Sequence, residues 1–242
     1  MGSEPGGPAV SGSAAPGLAR QLRPYVLVRL AGLLEERHQL ATEDVHFSQV
    51  LVSAVLTDLT DPGARVLDPF VGFGTTLAVA ERMGRSAVGV ELLPERCQIA
   101  AGRAPGSTVI TGDARQLHRL LGREVLRNGL FDLVLTSPPY RTEHDHPEDP
   151  LAGYEQPGPD YRSYLNDVTW VMSQAVELLQ PGGFLVINVA NLSYLDRFTP
   201  LAWDLARSVA AVVPLVGESF VCWDQRLDDL AGDYLLVFRK PG

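Results

Sequence analysis

From Arg65 onward the chain repeats one pattern: a short apolar run, a polar residue at its end, then a helix-like segment. Strands joined this way need crossovers, so they form a mostly parallel sheet with helices on both faces. Strands are expected at 65–67, 86–90, 108–110, 131–135 and 184–189, and helices at 75–83, 94–101, 114–127, 161–179 and 200–209. Two late strands, near 216–223 and 233–239, read as a hairpin, and 18–40 and 45–59 read as upstream helices. With 242 residues, 45% of them hydrophobic, the chain can bury one substantial core. The reading is a single α/β domain of Rossmann-like type over 17–242, after a disordered tail at 1–16 that holds little to pack.

Ligands of such sheets sit beyond the carboxyl ends of the strands. Asp68, Glu91, Asp113 and Ser137 all fall at those ends, an alignment that chance would not produce. After the first strand comes Asp68-Pro69-Phe70-Val71-Gly72-Phe73-Gly74-Thr75-Thr76. Gly72 and Gly74 permit a tight turn and a close backbone approach to a ligand, and Thr75 and Thr76 are expected to cap the next helix. The third glycine of a dinucleotide fingerprint is missing, so the turn suits a nucleoside joined to an amino acid better than a pyrophosphate. Glu91 follows Gly72 by roughly 20 residues, where an acid can accept both ribose hydroxyls. Asp113 can accept from an adenine amino group. The plain alternative for both acids is helix capping.

The fourth strand runs into Thr136-Ser137-Pro138-Pro139-Tyr140. Two prolines remove two backbone donors and leave carbonyls aimed outward. A planar exocyclic amino group can then donate one N–H to Ser137 Oγ and one to the Pro138 carbonyl. That draws the nitrogen toward tetrahedral geometry and aims its lone pair, by orientation and fixed dipoles rather than by a titrating base. Tyr140 offers a stacking face for a base removed from its helix.

Charge and composition narrow the partners. The formal net charge is −9, and Lys240 is the only lysine among 20 basic side chains, which speaks against a self-sufficient grip on duplex phosphates. Arg115, Arg119, Arg123 and Arg127 recur every fourth residue on an expected helix, either a solvated face or a track for a phosphate backbone. The loop 141–159 is rich in Pro, Gly and acids and is expected to be a lid or else disorder; His144 and His146 flank Asp145 there without the further ligands of a metal site. Cys97 and Cys222 match no metal or redox spacing. No apolar stretch is long enough to span a membrane and no signal peptide is evident, so the expectation is a cytoplasmic protein. Trp170, Trp203 and Trp223 are read as core or core-edge residues, and Asn188 and Asn191 as strand-end residues without an assigned role.

The two motifs together resemble those of the DNA amino-methyltransferase family, which makes N4-methylcytosine or N6-methyladenine. The resemblance covers about 45–239. It implies a class I methyltransferase fold with a seven-stranded sheet, S-adenosyl-L-methionine as cofactor, and a flipped base. Carried onto this chain, the implied cofactor residues are His46, Asp68, Phe70, Gly72, Gly74, Thr75, Thr76, Glu91, Leu92, Asp113 and Ala114, and the implied catalytic residues are Ser137, Pro138, Pro139 and Tyr140. His46-Phe47-Ser48 matches the segment at the methionine end of the cofactor only loosely. Ser at the head of the catalytic motif is similar to the cytosine-N4 branch. Phe73 departs from the family's usual Ser, and no segment resembles a target-recognition domain. DNA is thus the expected substrate, with an RNA base or a small amino-bearing metabolite as the alternative and a non-catalytic binding subunit as a second. A homodimer or a partner subunit would then supply target recognition.

Overall fold

The computed structural model describes residues 20–36, 38, 47–122, 127, 129–141, 148–153, 158–194, 196–225 and 230–242. Among them the strands are β1 (Tyr25–Val28), β2 (Arg65–Asp68), β3 (Ser86–Glu91), β4 (Thr108–Thr111), β5 (Phe131–Thr136), β6 (Leu179–Tyr194), β7 (Arg197–Thr199), β8 (Leu215–Trp223) and β9 (Leu230–Arg239). The helices are α1 (Leu30–Glu36), α2 (Gln49–Leu59), α3 (Thr75–Arg82), α4 (Pro94–Arg103), α5 (Leu117–Leu120), α6 (Tyr161–Glu177) and α7 (Leu201–Ala210). One nine-stranded sheet runs in the order β1-β8-β9-β6-β5-β2-β3-β4, with β7 folded back on β6. β9 is antiparallel to β6 and β8, and β7 to β6; the other pairs are parallel. Chain order reverses between β2 and β5, and this switch point opens a crevice above their carboxyl ends.

Helices cover both faces. On α6, Tyr164, Val168, Val171, Met172 and Ala175 are fully buried and follow the 3.6-residue period of a single stripe. They pack with Leu201 and Leu205 of α7 against one face of the sheet. Leu51, Val52, Val55 and Leu56 of α2 join Leu77 and Val79 of α3 on the other. Truncating one of the buried Leu or Met side chains among them to Ala costs about 2–5 kcal/mol.

Several elements differ from expectation. The stretch expected as a helix at 18–40 instead gives β1 and the short α1. Pro24 breaks a helix there, and Tyr-Val-Leu-Val alternates at period two: Val26 and Val28 are buried while Tyr25 and Leu27 are 54% and 68% exposed. β1 and β7 therefore add two strands to the seven expected. The helix expected at 114–127 breaks up: Asp113 caps a 3-10 turn at Ala114–Gln116, α5 follows, and 123–126 lies outside the described residues. Of the four spaced arginines, Arg115 and Arg119 bond to neighbours within the fold, to Asp113 and Gln116 respectively. The helix expected at 161–179 and the strand expected at 184–189 meet differently from expectation. α6 already ends at Glu177, and the Pro-Gly-Gly turn lies inside β6, where Gly182 takes φ +78° and bonds to Lys240 O. Trp170 and Trp203 are 57% and 51% exposed rather than core, because each sits on the outer side of its helix.

Candidate active site

Asp68 ends β2 and starts the glycine turn. Its Oδ1 accepts from the Phe70 amide at 3.0 Å, and Thr136 Oγ1, at the end of β5, donates to the same atom at 2.6 Å. The two sequence motifs are thus joined by one hydrogen bond across adjacent strand ends. Burial pushes the Asp68 carboxyl up to about 6, opposed by the Thr136 hydroxyl and the Phe70 amide.

The turn is closed by backbone bonds from Val71 N to Val90 O and from Gly74 N to Val71 O. Gly72 and Gly74 adopt φ of +54° and +86°. A Cβ on Gly74 would meet the Ala100 Cα and Cβ at 2.8 Å, so this glycine lets α3 pack on α4; a Cβ on Gly72 would meet nothing within 4 Å. Gly74 itself is the N-cap of α3, and Thr75 and Thr76, expected as caps, lie inside the first turn. A left-handed glycine caps without a side chain, which leaves the Thr75, Thr76 and Leu77 amides without intrahelical acceptors.

Glu91, at the end of β3, is buried and bridges two loops: Oε2 accepts from Gly72 N at 2.8 Å and Oε1 from Leu93 N at 2.9 Å. Burial raises its pKa against those amide bonds. A carboxylate has about four acceptor sites, so Glu91 keeps acceptor capacity for a sugar hydroxyl beyond its backbone amides. Leu92 is half-buried, and Ala114 is buried beyond β4. Asp113 caps the turn after β4 through Arg115 N at 2.9 Å and holds the Arg115 guanidinium at 2.8 Å. Arg115 also faces Asp149 and Asp167, at 3.4 Å and 3.5 Å, so its charge is spent inside the fold. The open Gly72 position, the free amides of α3 and the spare Glu91 acceptor capacity fit an adenosyl-amino-acid ligand: room for a sugar, donors for a negative end and an acceptor for a sugar hydroxyl. His46 lies outside the described residues; beside it, Ser48 caps α2 and the Glu36 carboxylate accepts from Gln49 N. Phe73 is held between His38, with ring centroids 5.1 Å apart, and the Arg96 guanidinium at 4.9 Å.

On the chemical side Ser137 is half-buried directly after Thr136. Tyr164, fully buried on α6, donates its hydroxyl to the Pro139 carbonyl at 2.8 Å and so anchors the double-proline turn to the core. Tyr140 packs partly buried on that core, its hydroxyl bonded to the Ser137 side chain and the Ala190 backbone; burial raises its pKa strongly. Its hydroxyl edge therefore points inward, toward Ser137. Beyond β5, Asn188 of β6 donates Nδ2 to Asp233 Oδ1 at 2.8 Å, and Trp223 Nε1 donates to Asp233 Oδ2 at 3.2 Å. Asn191 Oδ1 accepts from Ala202 N and caps α7. Sequence reasoning missed Tyr164 and Asp233. Tyr164 is one member of an apolar helix stripe, and only its hydroxyl sets it apart; Asp233 is a lone acid at the start of a strand that was read only as part of a hairpin. Of the 141–159 loop, Asp149 caps the turn Pro150–Ala152 and Arg141 donates to Glu148 O, while His144 and His146 lie outside the described residues. Among the described residues no cluster suited to a metal ion and no helix able to cross a membrane occurs.

The architecture is shared with known proteins. Residues 35–102 match the profile of the family described as DNA methylase. The chain is 42% identical over 60 residues to the Type II methyltransferase M.Cfr9I of Citrobacter freundii, covering 25% of this chain and 20% of that protein. It is 34% identical over 104 residues to the Type II methyltransferase M.BglII of Bacillus subtilis, covering 40% of this chain and 27% of that protein. The matches thus span about a quarter or less of these relatives. Among solved structures, TrmN from Thermus thermophilus superposes with a TM-score of 0.55 at 21% identity, over 80% of this chain and 49% of that one. The N-methyltransferase NodS from Bradyrhizobium japonicum WM9 gives 0.51 at 16%, over 80% and 93%. The fold is that of the class I methyltransferases. The matched segment is less than a third of the chain, and it runs through the glycine turn.

Proposed function

We propose that the protein moves the methyl group of S-adenosyl-L-methionine onto the exocyclic amino nitrogen of a nucleobase, cytosine N4 in DNA before adenine N6, using one domain over 17–242 in the cytoplasm. The observation that carries this reading is the Asp68–Thr136 bond, which sets the glycine turn and Ser137 at neighbouring strand ends. Bound beside Gly72, the cofactor supplies an electrophilic methyl on a sulfonium. Glu91 takes a ribose hydroxyl on its spare acceptor capacity, and Asp113, already tied to Arg115, offers an acceptor to the adenine amino group. Ser137 Oγ and the Pro138 carbonyl accept the two N–H bonds of the target amino group and turn its lone pair out of the ring plane. Tyr164, through the Pro139 carbonyl, holds those acceptors still. The Ser that heads this motif favours cytosine over adenine.

A second reading, an RNA base or a small amino-bearing compound, draws on one observation: Arg115, at the head of the arginine series, is surrounded by three carboxylates. Tritiated-methyl transfer over duplex DNA, single-stranded DNA, bulk RNA and a metabolite extract separates the two. Label in the DNA fractions supports the first reading; label only among small molecules or RNA replaces it with the second.

A further inference from the structure

Ser137 has a polar neighbour that the catalytic motif does not contain. Thr136 of β5 and Ile187 of β6 are register partners, so the next residues along the two strands, Ser137 and Asn188, stand side by side. Across β6, Ala190 pairs with Asp233 of β9, and Ala190 is also the backbone partner of the Tyr140 hydroxyl. Asn188 is only 5% exposed, and both hydrogens of its amide nitrogen are taken: Asp233 Oδ1 accepts at 2.8 Å and the Tyr234 carbonyl at 3.2 Å. Two acceptors facing one amide group allow only its NH2 end to point that way. Asn188 Oδ1 must then point away from Asp233. Among the described residues it accepts no hydrogen bond, and it is not one of the sealed polar atoms left without a partner, so it opens onto accessible space.

We propose that Asp233 is a positioning residue, which fixes the Asn188 amide so that Asn188 Oδ1 serves beside Ser137 as a third acceptor for the substrate's amino or ring N–H group. The inference rests on the proposed amino-group substrate. Asp233 is well placed for this task. Its second oxygen is held by the Trp223 indole, so the carboxylate cannot rotate, and it is nearly sealed from solvent. Burial pushes its pKa up to about 6, and keeping an ionised group there costs stability that an amide of the same shape would not. What the carboxylate adds over an amide is direction: it only accepts, and so leaves Asn188 one orientation.

The test uses the full chain and the variants Asp233→Asn, Asn188→Ala and the double variant. Asp233→Asn should lower kcat about 10- to 100-fold, the scale of losing one aligned polar partner in a transition state, with cofactor affinity within about twofold. Asn188→Ala should lose as much, and the double variant no more, because both act through one atom. In 15N-edited spectra the Asn188 side-chain NH2 and the Trp223 indole N–H should be slow to exchange in the unaltered chain and faster in Asp233→Asn. Losses that add, or an Asp233→Asn enzyme within about twofold of the parent, overturn the proposal. If the unaltered protein methylates no amino compound, the proposed function itself fails. The spectra then decide alone: deoxycytidine shifting the Asn188 side-chain resonances sustains the third acceptor, and no shift overturns it.

Discussion

The two glycines of the turn after β2 should fail in different ways when each is replaced by alanine. Both have positive φ, but an added methyl on Gly74 would lie 2.8 Å from Ala100 Cα and Cβ, whereas one on Gly72 would lie in open space. Gly74→Ala thus combines a left-handed backbone cost of about 1 kcal/mol with overpacking against α4 of about 1–3 kcal/mol. Ala100 Cα is backbone, so relief requires moving the helix. Gly72→Ala carries only the backbone cost, about 1 kcal/mol. In a chain of this size each kcal/mol moves the thermal midpoint by about 2–4 °C. Gly74→Ala should then melt roughly 5–15 °C low and Gly72→Ala only about 2–4 °C low. The methyl of Gly72→Ala fills the space assigned to the cofactor, so affinity for S-adenosylhomocysteine should drop about tenfold or more, a loss of about 1.4 kcal/mol. Circular dichroism melts and titration calorimetry read both quantities. Equal melting losses in the two variants, or unchanged affinity in Gly72→Ala, would falsify the division of labour between turn geometry and ligand space.

Other outcomes follow from the same geometry. Ser137→Ala should bind cofactor normally and lose most of its single-turnover methyl transfer; unchanged turnover removes Ser137 from the site. Glu91→Ala should weaken cofactor binding in calorimetry, since it removes the sugar-hydroxyl acceptor and frees the Gly72 and Leu93 amides. Asp68→Asn should stabilise the fold at pH 8, because a carboxyl moved from 3.8 to about 6 costs about 3 kcal/mol when ionised. The sign follows from the raised folded pKa: the cost grows as pH rises through the window from 3.8 to about 6, so the variant's advantage should vanish below pH 3.8. An advantage independent of pH in urea titrations would refute burial as the cause. Phe73→Ser should release His38, seen as loss of the ring-current shift on the His38 ring protons in NMR; an unmoved His38 signal means the stack does not form in solution.

The core of the sheet was legible because its strands end on polar residues and its glycines punctuate the first crossover. Asp68, Glu91 and Ser137 sit at strand ends as the pattern implied. β1 was not legible, since four residues after Pro24 pair with β8, whose sequence lies far downstream, and local periodicity carries no trace of that partner. The break after Asp113 was hidden because Asp113 bonds Arg115 N and so starts a 3-10 turn where apolar spacing promised a longer helix. The bond between Asp68 and Thr136 joins two motifs that are separate in sequence, and only the register of β2 with β5 brings them together.

The placement of β9 between β6 and β8 has a consequence for how the site comes into being. β2, β3, β4 and β5 can associate while the remainder of the chain is still being synthesised, because each pairs with a neighbour already made. β6 can join them, but its outer edge stays open until β9 arrives. β1 waits longest: Leu30, just after it, is held by the Asp224 carboxylate 194 residues later. Long-range pairing of this kind is slow to form and exposes unpaired edges while it waits. The glycine-turn half of the crevice is therefore assembled first and the Asn188–Asp233 half last, so the two halves of the crevice become ordered at different stages of synthesis.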